Sequence, residues 1–126
     1  MRRDVNDSRW QRVKEGIGKR DKGMCRLLRV LTHTEALMLK KKAGPMFNVL
    51  DPAHYLPVSK RPDLVYLPQN IVLLNRFSHD CLDNFRDPIS GVHIAADKVN
   101  EWWIRILEGN PDQIEVLRRE GLLEGE

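Results

Sequence analysis

The sequence predicts a small α+β domain in which helices flank a pair of short strands. The chain has 126 residues, of which 41% are hydrophobic, and this size suits one compact domain rather than two. Two short apolar runs enclose a proline-rich middle, and apolar residues recur at helical spacing on either side of it. We therefore expect a single domain over residues 24–126, preceded by a separate arm over residues 1–23.

The arm is polar and rich in charge. Gly16, Gly18 and Gly23 interrupt any long apolar pattern in it, which predicts a mobile or loosely helical segment. A segment of this composition is suited to lie along phosphate groups. Trp10 is expected either to stack on a nucleic-acid base or to act as a loose hydrophobic anchor.

The first element of the domain is predicted to be an amphipathic helix that ends near residue 42. Its apolar residues recur at three- and four-residue steps, at Met24, Leu27, Leu28, Leu31 and Met38. Lys40, Lys41 and Lys42 suit its end, since a helix carboxyl terminus stabilises cations. Two interpretations stay open for these lysines: a solvated helix end and a contact with phosphate.

The middle of the chain is predicted to run strand, loop, strand, helix over residues 46–86. Residues 46–50 form a short apolar run that is consistent with a strand. Four prolines exclude a helix between residues 51 and 69, namely Pro52, Pro57, Pro62 and Pro68. Residues 71–74 supply the second strand, and residues 78–85 form a short helix that ends before Pro88 and Gly91.

Two further helices are predicted within residues 94–120. The first carries an apolar stripe and ends at Gly109; the stripe consists of Ile94, Val99, Trp102, Trp103 and Ile106. Asn110, Pro111 and Gln113 match an N-cap, a proline at the first helical position and a capping-box partner. They predict a last helix that runs to about residue 120.

Charge is distributed unevenly along the chain. Residues 1–62 contain 15 basic and 6 acidic residues, a balance of +9, whereas residues 63–126 contain 6 basic and 12 acidic residues, a balance of −6. Such asymmetry indicates one face suited to a polyanion, and nucleic acid is the natural candidate.

Membrane and disulfide classes are disfavoured. The sequence has no run of 18 apolar residues and its start is too polar for a secretory signal, so we expect a cytoplasmic protein with no membrane partner. Cys25 and Cys81 lie 56 positions apart, without a Cys-x-x-Cys pair. Two such cysteines cannot build a four-cysteine zinc site, and both are expected to be reduced thiols with packing roles.

Three short motifs in the middle segment match the signature of a known enzyme family. They are DPAHYLPVS from Asp51, NIVLL from Asn70 and HDCLD from His79. Fifteen residues separate His54 from Asn70, and eight separate Asn70 from His79. With the His-x-x-Pro turn at His54 and the strand, loop, strand, helix order, this region resembles the HNH endonucleases, a branch of the ββα-metal or His-Me finger nucleases, over roughly residues 46–85.

The resemblance implies a role for each motif residue. His54 would be the general base, Asn70 would hold the loop and ring of His54 in place, and His79 would bind a divalent ion. Asp83 falls where many members carry a second helix ligand. The implied reaction is hydrolysis of DNA by activated water with one metal ion, in which Mg, Mn, Ni or Zn would serve, to give 5′-phosphate and 3′-hydroxyl ends.

The chemistry of these side chains agrees with such roles. A neutral imidazole is the side chain whose ordinary pKa suits deprotonation of water near neutral pH. The ion must screen the phosphate and keep open coordination positions, which calls for imidazole and carboxylate ligands. His79 and Asp83 are four residues apart, so on a helix they point the same way.

Two departures from the family pattern stand out. Ala53 occupies the position before the general base, where most members carry a metal ligand. Asp51, on the same side of an extended strand but about 6 to 7 Å away along it, is the candidate substitute, provided that the backbone bends at Pro52. Many relatives also carry two zinc knuckles. Here the approach to the first ends at a single Cys25, and Asn75 and Ser78 stand where the second would be, so no structural zinc is expected and apolar packing must replace it.

Several alternatives stay open. Lys60, Arg61 and Arg76, with the three lysines at residues 40–42, are candidate nucleic-acid contacts or simply solvated cations. Asn70 is also consistent with a turn cap, and Asp83 with a surface carboxylate. The expected function is a metal-dependent DNA endonuclease of phage type, in a bacterial or phage-infected cell, as a monomer or a homodimer. The alternatives are a catalytically silent nucleic-acid-binding or assembly protein on the same fold, and a helical phosphate-binding module.

Overall fold

A computed structural model of the chain describes residues 8–125. They form five α-helices and one two-stranded antiparallel sheet. The helices are α1 (Ser8–Arg20), α2 (His33–Ala43), α3 (Arg76–Asp83), α4 (Ala96–Glu108) and α5 (Pro111–Arg119), and the strands are β1 (Leu50–His54) and β2 (Ile71–Asn75). The predicted α+β class is confirmed. No helix within residues 8–125 is long and apolar enough to cross a membrane.

The sheet separates two apolar clusters. Asp51 pairs with Leu74, Ala53 with Val72 and His54 with Ile71. Because side chains alternate along a strand, Ala53, Val72 and Leu74 face the main core, whereas Ile71 and Leu73 face a smaller cluster with Ile17 of α1. The alternation also places Asp51 and His54 on opposite faces of the sheet.

The first strand begins later than predicted. Residues 46–50 were expected to form it, but Gly44–Asn48 is a 3₁₀ turn and the strand runs over Leu50–His54. Gly44 has a φ of 55°, and Pro45 follows it, so the chain turns sharply where an extended start was expected. Pro52 lies inside β1, which is tolerated because both strands of a two-stranded sheet are edge strands.

Residues 1–23 were predicted to be a mobile or loosely helical arm, and residues 8–23 agree with the helical alternative but are packed against the domain rather than mobile. Ser8–Arg20 is helix α1, and its Ile17 is buried at 1% exposure against β2. The turn after it is anchored by Asp21, which accepts a hydrogen bond from the Leu73 amide at 3.0 Å. Arg20 donates to the backbone carbonyls of Pro68 and Ile71. Residues 1–7 of the predicted arm lie outside the described residues.

The helix predicted from Met24 onward is divided. Arg26–Arg29 form a 3₁₀ turn, and α2 begins only at His33. Thr32 starts α2 through a capping box with Glu35, whose side chain accepts from the Thr32 amide at 2.9 Å. This local signal sets a new helix start inside the apolar pattern. The predicted end is confirmed, with the three lysines of residues 40–42 in the last turn.

The elements after β1 follow the sequence closely. Strand β2 and helices α3, α4 and α5 are confirmed, with bounds shifted by one or two residues. Asn110 caps α5 by accepting from the Gln113 amide at 3.2 Å, as predicted. The Gln113 side chain does not complete a capping box, however. It is buried and binds Arg26 and the carbonyl oxygen of Gln69 instead, because the buried guanidinium needs an acceptor.

Candidate active site

His54 lies at the carboxyl end of β1 with one ring nitrogen bound to the backbone. Its Nε2 is 2.9 Å from the carbonyl oxygen of Val65. A carbonyl oxygen only accepts, so Nε2 carries the proton of this hydrogen bond. In the neutral ring the lone pair therefore lies on Nδ1, the form that a general base requires.

Asn70 holds the two residues that follow His54. It is fully buried, and its Oδ1 accepts from the Leu56 amide at 2.8 Å while its Nδ2 donates to the Leu56 carbonyl at 3.1 Å. Its own carbonyl oxygen accepts from the Tyr55 amide at 2.8 Å. The side chain thus binds a segment 14 residues earlier in the chain and fixes the path of the backbone directly after His54.

His79 lies on α3 between two carboxylates. Its Nδ1 is 3.3 Å from Asp51 Oδ2, and its Nε2 is 3.3 Å from Asp83 Oδ2. The two carboxylates therefore face different nitrogens of one ring. With Asp51 as the acceptor, Nδ1 carries the proton and the Nε2 lone pair points toward Asp83.

The pair formed by His79 and Asp83 fits a divalent cation. Ligand atoms lie about 2.1 Å from such an ion, so two neighbouring ligands stand about 3 to 3.4 Å apart. The 3.3 Å between His79 Nε2 and Asp83 Oδ2 matches that separation. Two protein ligands leave most coordination positions to water and substrate, which suits Mg²⁺ in particular.

The structure does not place Asp51 as a third ligand beside this pair. Asp51 faces Nδ1 of His79 and forms a two-point ion pair with Arg76, at 2.9 and 3.2 Å. Among the residues that the structure describes, no group of three His, Cys, Asp or Glu side chains is arranged to hold a metal ion. Ala53 is fully buried and offers no ligand atom. Asp51 instead stands where a carboxylate orients a metal-binding imidazole from behind.

Arg76 is therefore not available as a free phosphate contact. Its hydrogen bonds hold the pKa of Asp51 below its usual range, and the Asp51 bond to His79 acts in the same direction. The charge of Arg76 is compensated within the protein. The position of Arg76 therefore does not support the expectation that it contacts the substrate backbone.

His54 and Asp83 line the same open cleft. This cleft has a volume of about 290 Å³, and its lining also includes Tyr55, Leu82, Trp103 and Lys60. The proposed base and the helix carboxylate are thus brought to one side of the molecule, although His54 and Asp51 lie on opposite faces of the sheet. Lys60, predicted to contact nucleic acid, is the cation of the central loop that reaches this cleft.

The other predicted nucleic-acid contacts lie elsewhere. Arg61 forms an exposed two-point ion pair with Asp63, at 2.9 and 3.0 Å. Lys40, Lys41 and Lys42 are exposed at the end of α2, outside the described lining of the cleft. These positions agree with the interpretation of a solvated helix end and do not support a contact with substrate.

Trp10 of α1 contacts the candidate base, which the sequence did not predict. Its ring stacks on the ring of His54 with centroids 5.6 Å apart and planes at 16°. The neighbouring Arg9 lies over the ring of Tyr66, 4.2 Å from its centroid. The one sequence signal for a role of Trp10 was that an aromatic residue stands within a basic segment. That signal does not indicate His54 as the partner.

The residues at the zinc-knuckle positions come together without a four-cysteine set. Cys25 Sγ accepts from the Asn75 amide at 3.2 Å and from Asn75 Nδ2 at 3.5 Å. Asn75 Oδ1 in turn accepts from the Ser78 amide and caps α3. Burial raises the pKa of the Cys25 thiol, which keeps it protonated. Hydrogen bonds thus join the turn at Arg26–Arg29 to the start of α3.

The chain matches no model of a known protein family, no curated protein and no solved structure.

Proposed function

We propose that this protein is a metal-dependent DNA endonuclease of the HNH type, with β1, β2 and α3 as its ββα-metal core. The observation that carries the proposal is the cleft shared by His54 and Asp83. Asn70 supports it, because its side chain fixes the backbone next to His54 from a position that the family pattern reserves for such a residue.

His54 is the general base in this proposal. Its Nε2 proton is held by Val65, so Nδ1 accepts the proton of the attacking water. The oxygen of that water forms a bond to phosphorus, and the bond from phosphorus to the 3′ oxygen breaks. The departing oxygen takes a proton from solvent, which leaves a 3′-hydroxyl and a 5′-phosphate.

His79 Nε2 and Asp83 would hold the divalent ion, whether Mg, Mn, Ni or Zn. When bound, the ion supplies charge that screens the phosphate and stabilises the departing oxygen. Asp51 is a positioning residue, because it accepts from Nδ1 of His79 and so keeps the Nε2 lone pair directed toward Asp83. Lys60 in the same cleft attracts the phosphate backbone. With the DNA of a bacterial or phage-infected cell as its substrate, the protein would act in the cell interior, and its two free cysteines agree with a reducing compartment.

A second candidate function is a silent DNA-binding protein on the same fold. One observation favours it: only two side chains of the described residues, His79 and Asp83, are placed to bind the metal ion. Ala53 offers no ligand atom, and Asp51 is paired with Arg76. Such a site would bind an ion weakly. DNA binding without cleavage would then be the remaining activity.

Plasmid nicking tests the proposal. The protein is incubated with supercoiled DNA and each of the four metals, with a chelator control, and compared with His54→Ala and His33→Ala. His33 is a matched control, because it is an exposed histidine at the start of α2. We expect metal-dependent nicking that falls at least about 100-fold in His54→Ala and persists in His33→Ala. Equal cleavage by both variants would overturn the proposal, and binding without cleavage in every metal would support the silent protein.

A further inference from the structure

A second groove on the protein is lined by arginine side chains of α1. Arg9, Arg12 and Arg20 border it together with Gly16 and Pro68, and its volume is about 450 Å³. On a helix, residues 9, 12, 16 and 20 lie on one face. None of these residues belongs to the described lining of the His54 cleft, so the α1 groove is a separate surface.

The charge of the α1 groove is only partly compensated. Within Ser8–Arg20 the basic residues are Arg9, Arg12, Lys14, Lys19 and Arg20, against Glu15. Arg20 is paired with Asp21, and Arg9 lies over Tyr66. Arg12 is exposed and has no hydrogen bond or ion pair with any other residue of the described chain. A guanidinium in this state is available for a phosphate or carboxylate outside the protein.

Gly16 lies in the same groove, in the interior of α1. Glycine there weakens a helix relative to alanine, and a Cβ at residue 16 would meet no atom within 4 Å. Its φ is not among the positive values of the chain, so the backbone does not require glycine. Neither packing nor conformation explains it. The absence of a side chain does leave the helix backbone open to close approach beside Arg12.

We propose that the α1 groove binds the phosphodiester backbone of DNA, with Arg12 as the charged contact and Gly16 as the point of close approach. The ring of Trp10, which follows Arg9 in α1, stacks on the ring of His54, so α1 itself lies beside the candidate base. DNA held by α1 would thus pass beside the base. The identity of the polyanion rests on the proposed function, whereas the binding surface rests on Arg12, Gly16 and the groove itself.

Binding of a fluorescein-labelled DNA duplex measures this surface without catalysis. Fluorescence anisotropy is followed in a chelator, so that no strand is cut, over a series of salt concentrations. The variants are Arg12→Ala and Gly16→Ala. Gly18→Ala is the matched control, since a Cβ at residue 18 also meets no atom within 4 Å and points away from the groove.

Both glycine variants are expected to raise the melting temperature by about 3 °C, because alanine favours the helix. Only Gly16→Ala should weaken DNA binding, by about threefold or more, since the added methyl blocks close approach. Arg12→Ala should weaken binding by about three- to tenfold and lower the salt slope by about one.

Equal affinity of Gly16→Ala and Gly18→Ala, or no binding by the native protein at low salt, would overturn the inference. The two proposals fail separately. Weakened binding in the Arg12 and Gly16 variants of a protein that never nicks DNA supports the groove and rejects the nuclease. Nicking by the native protein, together with unchanged DNA binding in both variants, supports the nuclease and rejects the groove.

Discussion

The ring of Trp10 is stacked on the ring of His54, with centroids 5.6 Å apart and an interplanar angle of 16°. The contact joins α1 to the end of β1 and covers one face of the candidate base. Trp10 also packs against the small apolar cluster around Ile17. One residue therefore links the stability of α1 to the placement of His54.

Replacement of Trp10 tests this link. Trp10→Ala should lower the free energy of unfolding by about 1–2 kcal/mol, because it removes the ring contact and part of the small cluster. Trp10→Phe should retain at least half of that free energy, since a smaller ring can still stack. Urea unfolding followed by circular dichroism measures both. An equal loss of unfolding free energy in the two variants would show that ring stacking does not contribute to the stabilising effect of Trp10.

Asn70 should be among the most sensitive positions of the chain. Asn70→Ala leaves the amide and carbonyl of Leu56 without their side-chain partner in a buried place, which should cost about 2–4 kcal/mol of unfolding free energy. Nicking should fall with it even at a temperature where the variant is folded. Asn84→Ala is the control, because Asn84 is exposed and caps its own helix. A loss in both variants of similar size would contradict the assigned role.

The buried ion pair of Asp21 and Arg26 predicts a pH dependence of stability. Both side chains are fully buried, and their atoms are 3.2 Å apart. Burial raises the pKa of Asp21, but the bonds from Arg20 and the Leu73 amide outweigh it and the pKa is lowered overall. A carboxyl with a lowered pKa in the folded state stabilises the fold above its unfolded pKa of about 4, and that contribution is lost as pH falls through the folded value.

Asp21→Asn should therefore destabilise the protein by about 3 kcal/mol or more near pH 7, because it leaves the Arg26 charge buried with less compensation. The difference from the native protein should be constant from pH 5 to 8 and should shrink below pH 4. Denaturant unfolding at each pH measures it. Asp63→Asn, in an exposed pair with Arg61, should change little at any pH. A difference that grows toward low pH would reverse the assigned sign.

Asp51 should control the tautomer of His79. Long-range ¹H–¹⁵N spectra of the metal-free protein should show the proton on Nδ1, which faces Asp51. Asp51→Ala should mix the two tautomers and weaken Mn²⁺ binding by about 10- to 100-fold, as removal of an orienting carboxylate does. Asp83→Ala should weaken binding without altering the tautomer. Titration calorimetry gives the affinities, and a native ring with its proton on Nε2 would refute the orienting role.

Much of the fold could be predicted because its signals are local. Asn110 with Pro111 starts α5, Gly109 ends α4, and the apolar run of β2 is buried along its whole length. The displaced start of β1 and the division of the helix before α2 were not predicted. Both depend on single local events, the turn at Gly44 and the Thr32 cap, which lie inside patterns that look continuous.

Only part of the candidate site could be predicted from the sequence. The types and spacing of His54, Asn70, His79 and Asp83 are visible in the chain, and helical periodicity alone places the last two on one face. The contact of His79 Nδ1 with Asp51 joins residues 28 positions apart, and the pairing of Asp51 with Arg76 joins residues 25 positions apart. No local pattern encodes such contacts.

The order of the elements could be predicted from the sequence because it follows from interactions a few residues apart, and the side chains of the candidate site could be named because their types and spacing resemble those of the HNH endonucleases. The docking of α1, the stack of Trp10 on His54 and the orienting position of Asp51 became visible only in the folded chain. Their physical reason is shared: each depends on hydrogen bonds or ring contacts between segments distant in sequence, and the packing of the sheet against its helices sets those distances.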